Sequence, residues 1–198
     1  MHLTAKIRLL VLTSLCFFTG AQAENSELSE STILLNAFSD SGPDLQWFVQ
    51  NDTVMGGRSE GGFRIVDDRL VFSGITNTNG GGFSSIRSRR FAKDLSAYSG
   101  IKVNVKADGR KYTWSIQTDA TWRGRRVSYW ADFNTTANTG EIEEITIPFT
   151  KFYPQFRGFK LDGPELNKNQ ITEFALYQYD KTDGPFELEL FSVEAYAE

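Results

Sequence analysis

Alternation of apolar and polar residues with period two constrains this chain more than any other feature. Ile101, Val103 and Val105 alternate with Lys102, Asn104 and Lys106. Tyr112, Trp114 and Ile116 repeat the pattern, as do Val127, Tyr129, Ala131 and Phe133, and then Phe186, Leu188 and Leu190. Successive side chains of a strand point to opposite faces, so each run reads as a half-buried antiparallel strand. Residues 33–38, 47–49, 69–75 and 83–87 add shorter runs of the same type. Asp67-Asp68 reads as a turn, and Asp108-Gly109 and residues 122–124 read as hairpin turns. No segment carries a helical period over three turns. Ten or more short, closely spaced strands predict an all-β sandwich or barrel. Most of the 16 phenylalanines belong in its core.

The first residues read differently. Lys6 and Arg8 precede an apolar run over residues 9–20, and Ala21-Gln22-Ala23 is a small-x-small cleavage signal. This predicts a signal peptide over residues 1–23 and a periplasmic or extracellular location. The run is too short for a membrane anchor. Leu15 before Cys16 argues against a lipoprotein, and no later run is long enough to cross a bilayer. Residues 24–32 read as a polar tail and 33–197 as one domain.

His2 is the only histidine and Cys16 the only cysteine. Without residues 1–23 the chain has neither, which excludes Ser-His-Asp and Cys-His catalysis, the usual zinc sites and any disulfide. No cofactor is expected, and any metal would need oxygen ligands, which favours calcium or magnesium. Removing Lys6 and Arg8 leaves 19 basic against 25 acidic side chains, a net charge of about −6. A chain of that charge is not expected to bind nucleic acid through general electrostatics.

Two glycine-rich segments stand out: Trp47-Phe48-Val49-Gln50-Asn51-Asp52-Thr53-Val54-Met55-Gly56-Gly57-Arg58-Ser59 and Gly80-Gly81-Gly82-Phe83-Ser84-Ser85-Ile86-Arg87, with Phe72-Ser73-Gly74 between them. No helix and no Gly-Lys-Ser/Thr follows either, so neither reads as a phosphate loop. Paired glycines beside strands mark bulges or close backbone approach. Together the segments resemble the complex I intermediate-associated protein family, whose pattern runs Trp…Asp-x-Val-Met-Gly-Gly-x-Ser, Phe-x-Gly, Gly-Gly-Phe-x-Ser-x-Arg. The resemblance continues through Tyr129, Phe133, Ile147-Pro148-Phe149, Phe156-Arg157-Gly158, Asp180 and Gly184-Pro185-Phe186, and covers residues 33–197. It implies a galactose-binding-like jelly roll and a chaperone-like assembly factor of respiratory complex I rather than a catalyst. The predicted export signal departs from the family's mitochondrial matrix role.

Several residues are candidates for a binding site. Asp52, Arg58 and Arg87 belong to the motif and either form a polar site beside the glycine turns or fix those turns structurally. Trp114 and Tyr129 fall on the apolar phase and belong in the core. Trp130 is out of phase with Tyr129 and is placed on the opposite face, and Trp122 at the hairpin tip. Arg123, Arg125 and Arg126 make that tip basic, as solvated turn charges or as contacts for an anionic partner. Trp122, Trp130, Arg125 and Arg126 are therefore grouped as one candidate site, apolar area beside bidentate donors. Glu141, Glu143, Glu144 and Asp67-Asp68 are too close in sequence to flank a glycosidic bond. The sequence thus favours a non-catalytic protein with a protein client, with a carbohydrate-binding module next and a glycan-active enzyme third.

Overall fold

The computed structural model describes residues 32–137 and 140–197. The predicted signal peptide, and the tail apart from Thr32, lie outside the described residues. Thirteen strands follow in order: β1 (Thr32–Ala37), β2 (Phe48–Val49), β3 (Glu60–Val66), β4 (Arg69–Thr76), β5 (Ser84–Arg87), β6 (Gly100–Ala107), β7 (Lys111–Trp122), β8 (Arg125–Asn134), β9 (Glu143–Pro148), β10 (Tyr153–Phe156), β11 (Phe159–Lys160), β12 (Glu173–Gln178) and β13 (Gly184–Tyr196). The helical turns among them are short 3-10 pieces of three or four residues.

The strands form two sheets. One runs β3-β4-β13-β6-β9, with β1 also paired to β13, and the other runs β11-β10-β8-β7-β12-β5-β2. The predicted alternation supplies the core between them. Leu70, Phe72, Ile101, Val103, Val105, Leu188 and Leu190 of the first sheet meet Ile86, Tyr112, Trp114, Ile116, Val127, Tyr129, Phe174 and Leu176 of the second, all buried. On β13 the apolar phase jumps from Leu190 to Val193, and the pairing with β6 slips there too, between Leu190 and Ser192. The extra residue is a bulge that returns the second half of the strand to the core phase.

The β7–β8 connection is the predicted hairpin. Arg123 and Gly124 both have positive φ, as do Asp67 and Asp68 between β3 and β4. Two successive positive φ values are what two-residue hairpin turns matching the strand twist require. Asp108-Gly109 is not a hairpin turn. It joins β6 of one sheet to β7 of the other, so the chain changes layers there. Arg110 secures this corner. Its guanidinium donates to both carboxylate oxygens of Asp180 at 2.6 and 2.9 Å and to the carbonyls of Thr182, Gly184 and Pro185. Burial raises the pKa of Asp180, but the hydrogen bonds from Arg110, Thr182 and Gln178 and the Arg110 charge together outweigh it, and the net shift is downward.

Candidate functional site

Asp52 opens the 3-10 turn Asp52–Met55, and its side chain is fully buried. The carboxylate accepts hydrogen bonds from Ser59 N at 2.9 Å, Ser59 Oγ at 2.7 Å, Gly82 N at 2.6 Å and Phe83 N at 3.2 Å. The glycines exist to let the two loops close on it. A Cβ on Gly57 would stand 2.3 Å from Asp52 Cγ, and one on Gly81 2.4 Å from Oδ2. Burial pushes the Asp52 pKa up, while the bonds from Ser59, Gly82 and Phe83 push it down further, and the net shift is downward. Four satisfied hydrogen bonds leave this carboxylate no role toward a ligand, so it ties the loops together. Arg58 is exposed and takes no part.

The knot does place one side chain that matters. Phe83, whose N–H binds Asp52, packs its ring 5.8 Å from Tyr177 and 6.1 Å from Tyr179. Trp130 packs against the same two tyrosines at 4.8 and 5.7 Å. These four rings lie on the face of the seven-stranded sheet turned away from the core. Register assembles the rest of that face, because paired residues of neighbouring strands share a side. Tyr153, Trp130, Ser115, Ala175 and Arg87 form one row from β10 to β5. Gln155, Ser128, Gln117 and Glu173 form the next. The first row carries aromatic rings and a guanidinium, the second amides and a carboxylate.

This face contains hydrogen-bonding capacity that the protein does not use. Arg87 Nη2 donates to the Tyr177 hydroxyl at 2.6 Å, but its buried Nε has no partner. The Gln117 amide donates to Ser128 Oγ, but its buried Oε1 has no partner. Trp130 Nε1 is likewise buried and unpaired. Each such atom costs about 1–3 kcal/mol. Among the described residues the others are Trp114 Nε1 in the core and Arg69 Nε, which sits 2.7 Å from Glu189 in an ion pair. Glu173 is 8% exposed. Burial raises its pKa, the charges of Arg87, Arg126 and Arg90 oppose this, and the net shift is upward.

The predicted cluster at the hairpin tip is split by the sheet. Trp122 ends β7, packs against the edge of the core and lies 5.8 Å from the Phe156 ring. Arg125 pairs with Trp122 and shares its side. Arg126 and Trp130 are in phase with Ser128 and lie on the outer face. The strand period separates neighbours, so Trp122 and Arg125 do not join Trp130 and Arg126 in one site. Sequence reasoning missed Gln117, Gln155, Tyr153, Tyr177 and Glu173. Each is on the outer face, but only strand pairing brings them together.

A cleft of about 740 Å³ opens elsewhere, where β9 gives way to β10, lined by Tyr98, Phe149, Phe152, Leu161 and Lys168 among others. Lys168 Nζ is engaged by the carbonyls of Ser96 and Tyr98, and the cleft contains none of the unpaired buried atoms. Chemistry therefore favours the outer face over this cleft. Among the described residues no group of three or more acidic side chains is placed to hold a metal ion, and no helix is long and apolar enough to cross a membrane.

Comparison with known proteins gives a consistent picture. The sequence model described as Complex I intermediate-associated protein 30 matches residues 37–190. The mitochondrial protein of that name from Mus musculus is 26% identical over 165 residues, covering 73% of this chain and 50% of the mouse protein. An uncharacterised protein of Schizosaccharomyces pombe is 31% identical over 144 residues, covering 64% of each. The chain thus spans about half to two thirds of the length of these relatives. A family 11 carbohydrate-binding module from Clostridium thermocellum, solved with a mixed-linked tetrasaccharide, superimposes with a TM-score of 0.61. Identity is 14%, over 85% of this chain and 95% of the module. At that identity the likeness establishes the fold alone, a galactose-binding-like jelly roll. The expected periplasmic or extracellular location is corrected by the mouse relative, which is mitochondrial. The residues on which the export reading rested are outside the described part.

Proposed function

This chain belongs to the complex I intermediate-associated protein 30 family, and from that premise we propose that it is a non-catalytic assembly or chaperone-like factor acting on a protein client. The family match over residues 37–190 carries this reading. The outer face of the seven-stranded sheet supplies a place for the client. Phe83, Trp130 and Tyr153 offer partly exposed aromatic area around the buried Tyr177, and Arg87, Gln117 and Trp130 beside them each hold one buried polar atom without a partner. Aromatic and arginine side chains of this kind dominate the energetics of protein interfaces. The absence of histidine and cysteine beyond residue 23 supports binding over nucleophilic catalysis. Deleting the gene in the native host and resolving respiratory complexes on native gels tests the reading. Assembled complex I should fall and return with the wild-type gene but not with Trp130→Ala. Complex I at wild-type levels in the deletion strain overturns it.

A second reading rests on the composition of the same face. A row of rings beside a row of amides and a carboxylate suits a carbohydrate, whose rings stack on aromatic faces while its hydroxyls exchange hydrogen bonds with side-chain amides. The fold shared with a carbohydrate-binding module is in keeping with this, as an analogy of fold. A glycan array probed with the purified protein distinguishes the two. Specific retention that Trp130→Ala abolishes supports carbohydrate binding, and a blank array rejects it.

A further inference from the structure

We infer that the outer face of the seven-stranded sheet is built for an acidic oligosaccharide, a chain of rings whose carboxylates are held by Arg87 and Arg126. The inference rests on the carbohydrate reading of that face and adds the charge of the ligand. Charge is distributed unevenly in this acidic chain of net charge −4. Where β5 ends, Arg87 is followed by Arg89 and Arg90, and at the same end of the sheet the β7–β8 hairpin carries Arg123, Arg125 and Arg126. Between the two groups, Glu173 at the start of β12 is the buried carboxylate. It makes no side-chain hydrogen bond or salt bridge with these arginines.

The arginines are incompletely used. Arg87 has Nη2 committed to Tyr177, which fixes the plane of its guanidinium 5.3 Å from the tyrosine ring, while Nε is buried and unpaired. Arg87 thus keeps donor capacity that neither Tyr177 nor Glu173 satisfies, and a carboxylate is the partner a guanidinium binds most strongly. Arg126 is exposed on the same face, in phase with Ser128 and Trp130. Its charge reaches Glu173, as does that of Arg90.

The rest of the face suits rings. Tyr153 and Trp130 are cross-strand partners, both half-exposed, and the amides of Gln155 and Gln117 lie in the adjoining row. From β10 to β5 the row crosses four strand spacings, roughly 19 Å, room for several linked rings. A purely acidic polypeptide would use the arginines but leave the ring-and-amide rows without a reason. A neutral sugar would use the rows and leave the arginines at that end of the sheet without a ligand group.

The test is calorimetric titration of the full chain with tetragalacturonate, cellotetraose and a hexaglutamate peptide, at low and high salt. Tetragalacturonate should bind at least about tenfold more tightly than cellotetraose, and the difference should shrink in high salt. Arg126→Gln, an exposed position, should cost about tenfold for tetragalacturonate while leaving cellotetraose unchanged, and Arg87→Gln should cost tetragalacturonate at least as much. Glu173→Gln should tighten the acidic ligand only, by removing the competing charge. Cellotetraose binding as tightly as tetragalacturonate leaves the carbohydrate reading standing and overturns the acidic ligand. Hexaglutamate binding as tightly as tetragalacturonate shows that charge alone is read and overturns the sugar. Tetragalacturonate binding that neither arginine variant weakens overturns the site, and no binding to either sugar overturns both readings.

Discussion

The knot around Asp52 and the outer face beside it both bury polar groups, and they do so in opposite ways. Asp52 is fully buried and its carboxylate accepts four hydrogen bonds from two loops drawn close by glycines. On the outer face, Arg87, Gln117 and Trp130 are held in place with one polar atom each left unpaired. Satisfied burial stabilises a fold, whereas unsatisfied burial costs stability and persists where a partner completes the bonding. The most conspicuous motif of the sequence is therefore scaffolding, and the binding candidate lies next to it. Phe83 links the two, with its N–H on Asp52 and its ring on Tyr177 and Tyr179.

Removing the centre of the knot should have the largest effect. Asp52→Ala strands the N–H groups of Ser59, Gly82 and Phe83, and should cost about 3–5 kcal/mol, a loss on the order of 10 °C in Tm. Thermal unfolding followed by circular dichroism measures it, and a shift within about 1 °C would mean that the knot is dispensable. Gly82→Val tests the backbone of the same knot. Gly82 has φ +104° and its Cβ would meet Thr78 at 3.2 Å, so about 1–3 kcal/mol should be lost. An unchanged denaturation midpoint would refute the strain.

Acid should affect the two regions with opposite sign. Asp52 has a native pKa below its ordinary value of 3.8. Its contribution is thus fully present above pH 3.8 and is lost as pH falls through the lower native value. Glu173 has a native pKa above its ordinary 4.5, so its ionised form destabilises the fold and protonation relieves this. Denaturant titrations of wild type and Asp52→Asn should converge as pH drops below 3.8. A constant gap between the two curves down to the acid limit would show that Asp52 does not carry the pH dependence.

Smaller effects are expected on the outer face itself. Trp130→Ala should cost stability by only about 1–2 kcal/mol, because its ring makes a tilted contact with Tyr177 and an edge contact with Tyr179 but stays half-exposed. Its effect on ligand affinity should be the greater of the two. If it melts as early as Asp52→Ala, the ring is packing rather than recognition. Arg125→Ala should change stability and binding by less than about 0.5 kcal/mol, since Arg125 lies on the other side from Trp130. Loss of binding in that variant would restore the hairpin tip as a single site.

The strands were most legible where one face is apolar and the other polar. β6, β7, β8 and the first half of β13 announce themselves this way. β12, Glu-Phe-Ala-Leu-Tyr-Gln, does not, because it is central in its sheet and buried throughout, and alternation vanishes when both faces are covered. β3 is obscured by Gly61-Gly62, of which Gly61 is required by close approach, since a Cβ there would stand 2.0 Å from Ser84 Oγ. At the candidate site, phase alone placed Trp130 on the face opposite Tyr129. It left Arg125 and Arg126 grouped together, because adjacent residues look alike until register assigns each to a side.

By itself the sequence determined the local quantities: the period of the half-buried strands, the turns at Asp67-Asp68 and Arg123-Gly124, the inward faces of those strands, and the glycine motif that carries the family. These depend on backbone geometry within a few residues. Tertiary structure decided which sheet each strand joins, sending Asp108-Gly109 across the layers instead of into a hairpin. It also decided that Asp52 faces four donors from loops separated by more than twenty residues. Above all it brought Tyr153, Trp130, Gln117, Glu173 and Arg87 into two rows on one face. Strand pairing is a long-range choice, settled by which arrangement buries the most apolar surface at once, and no short stretch of this chain contains that information.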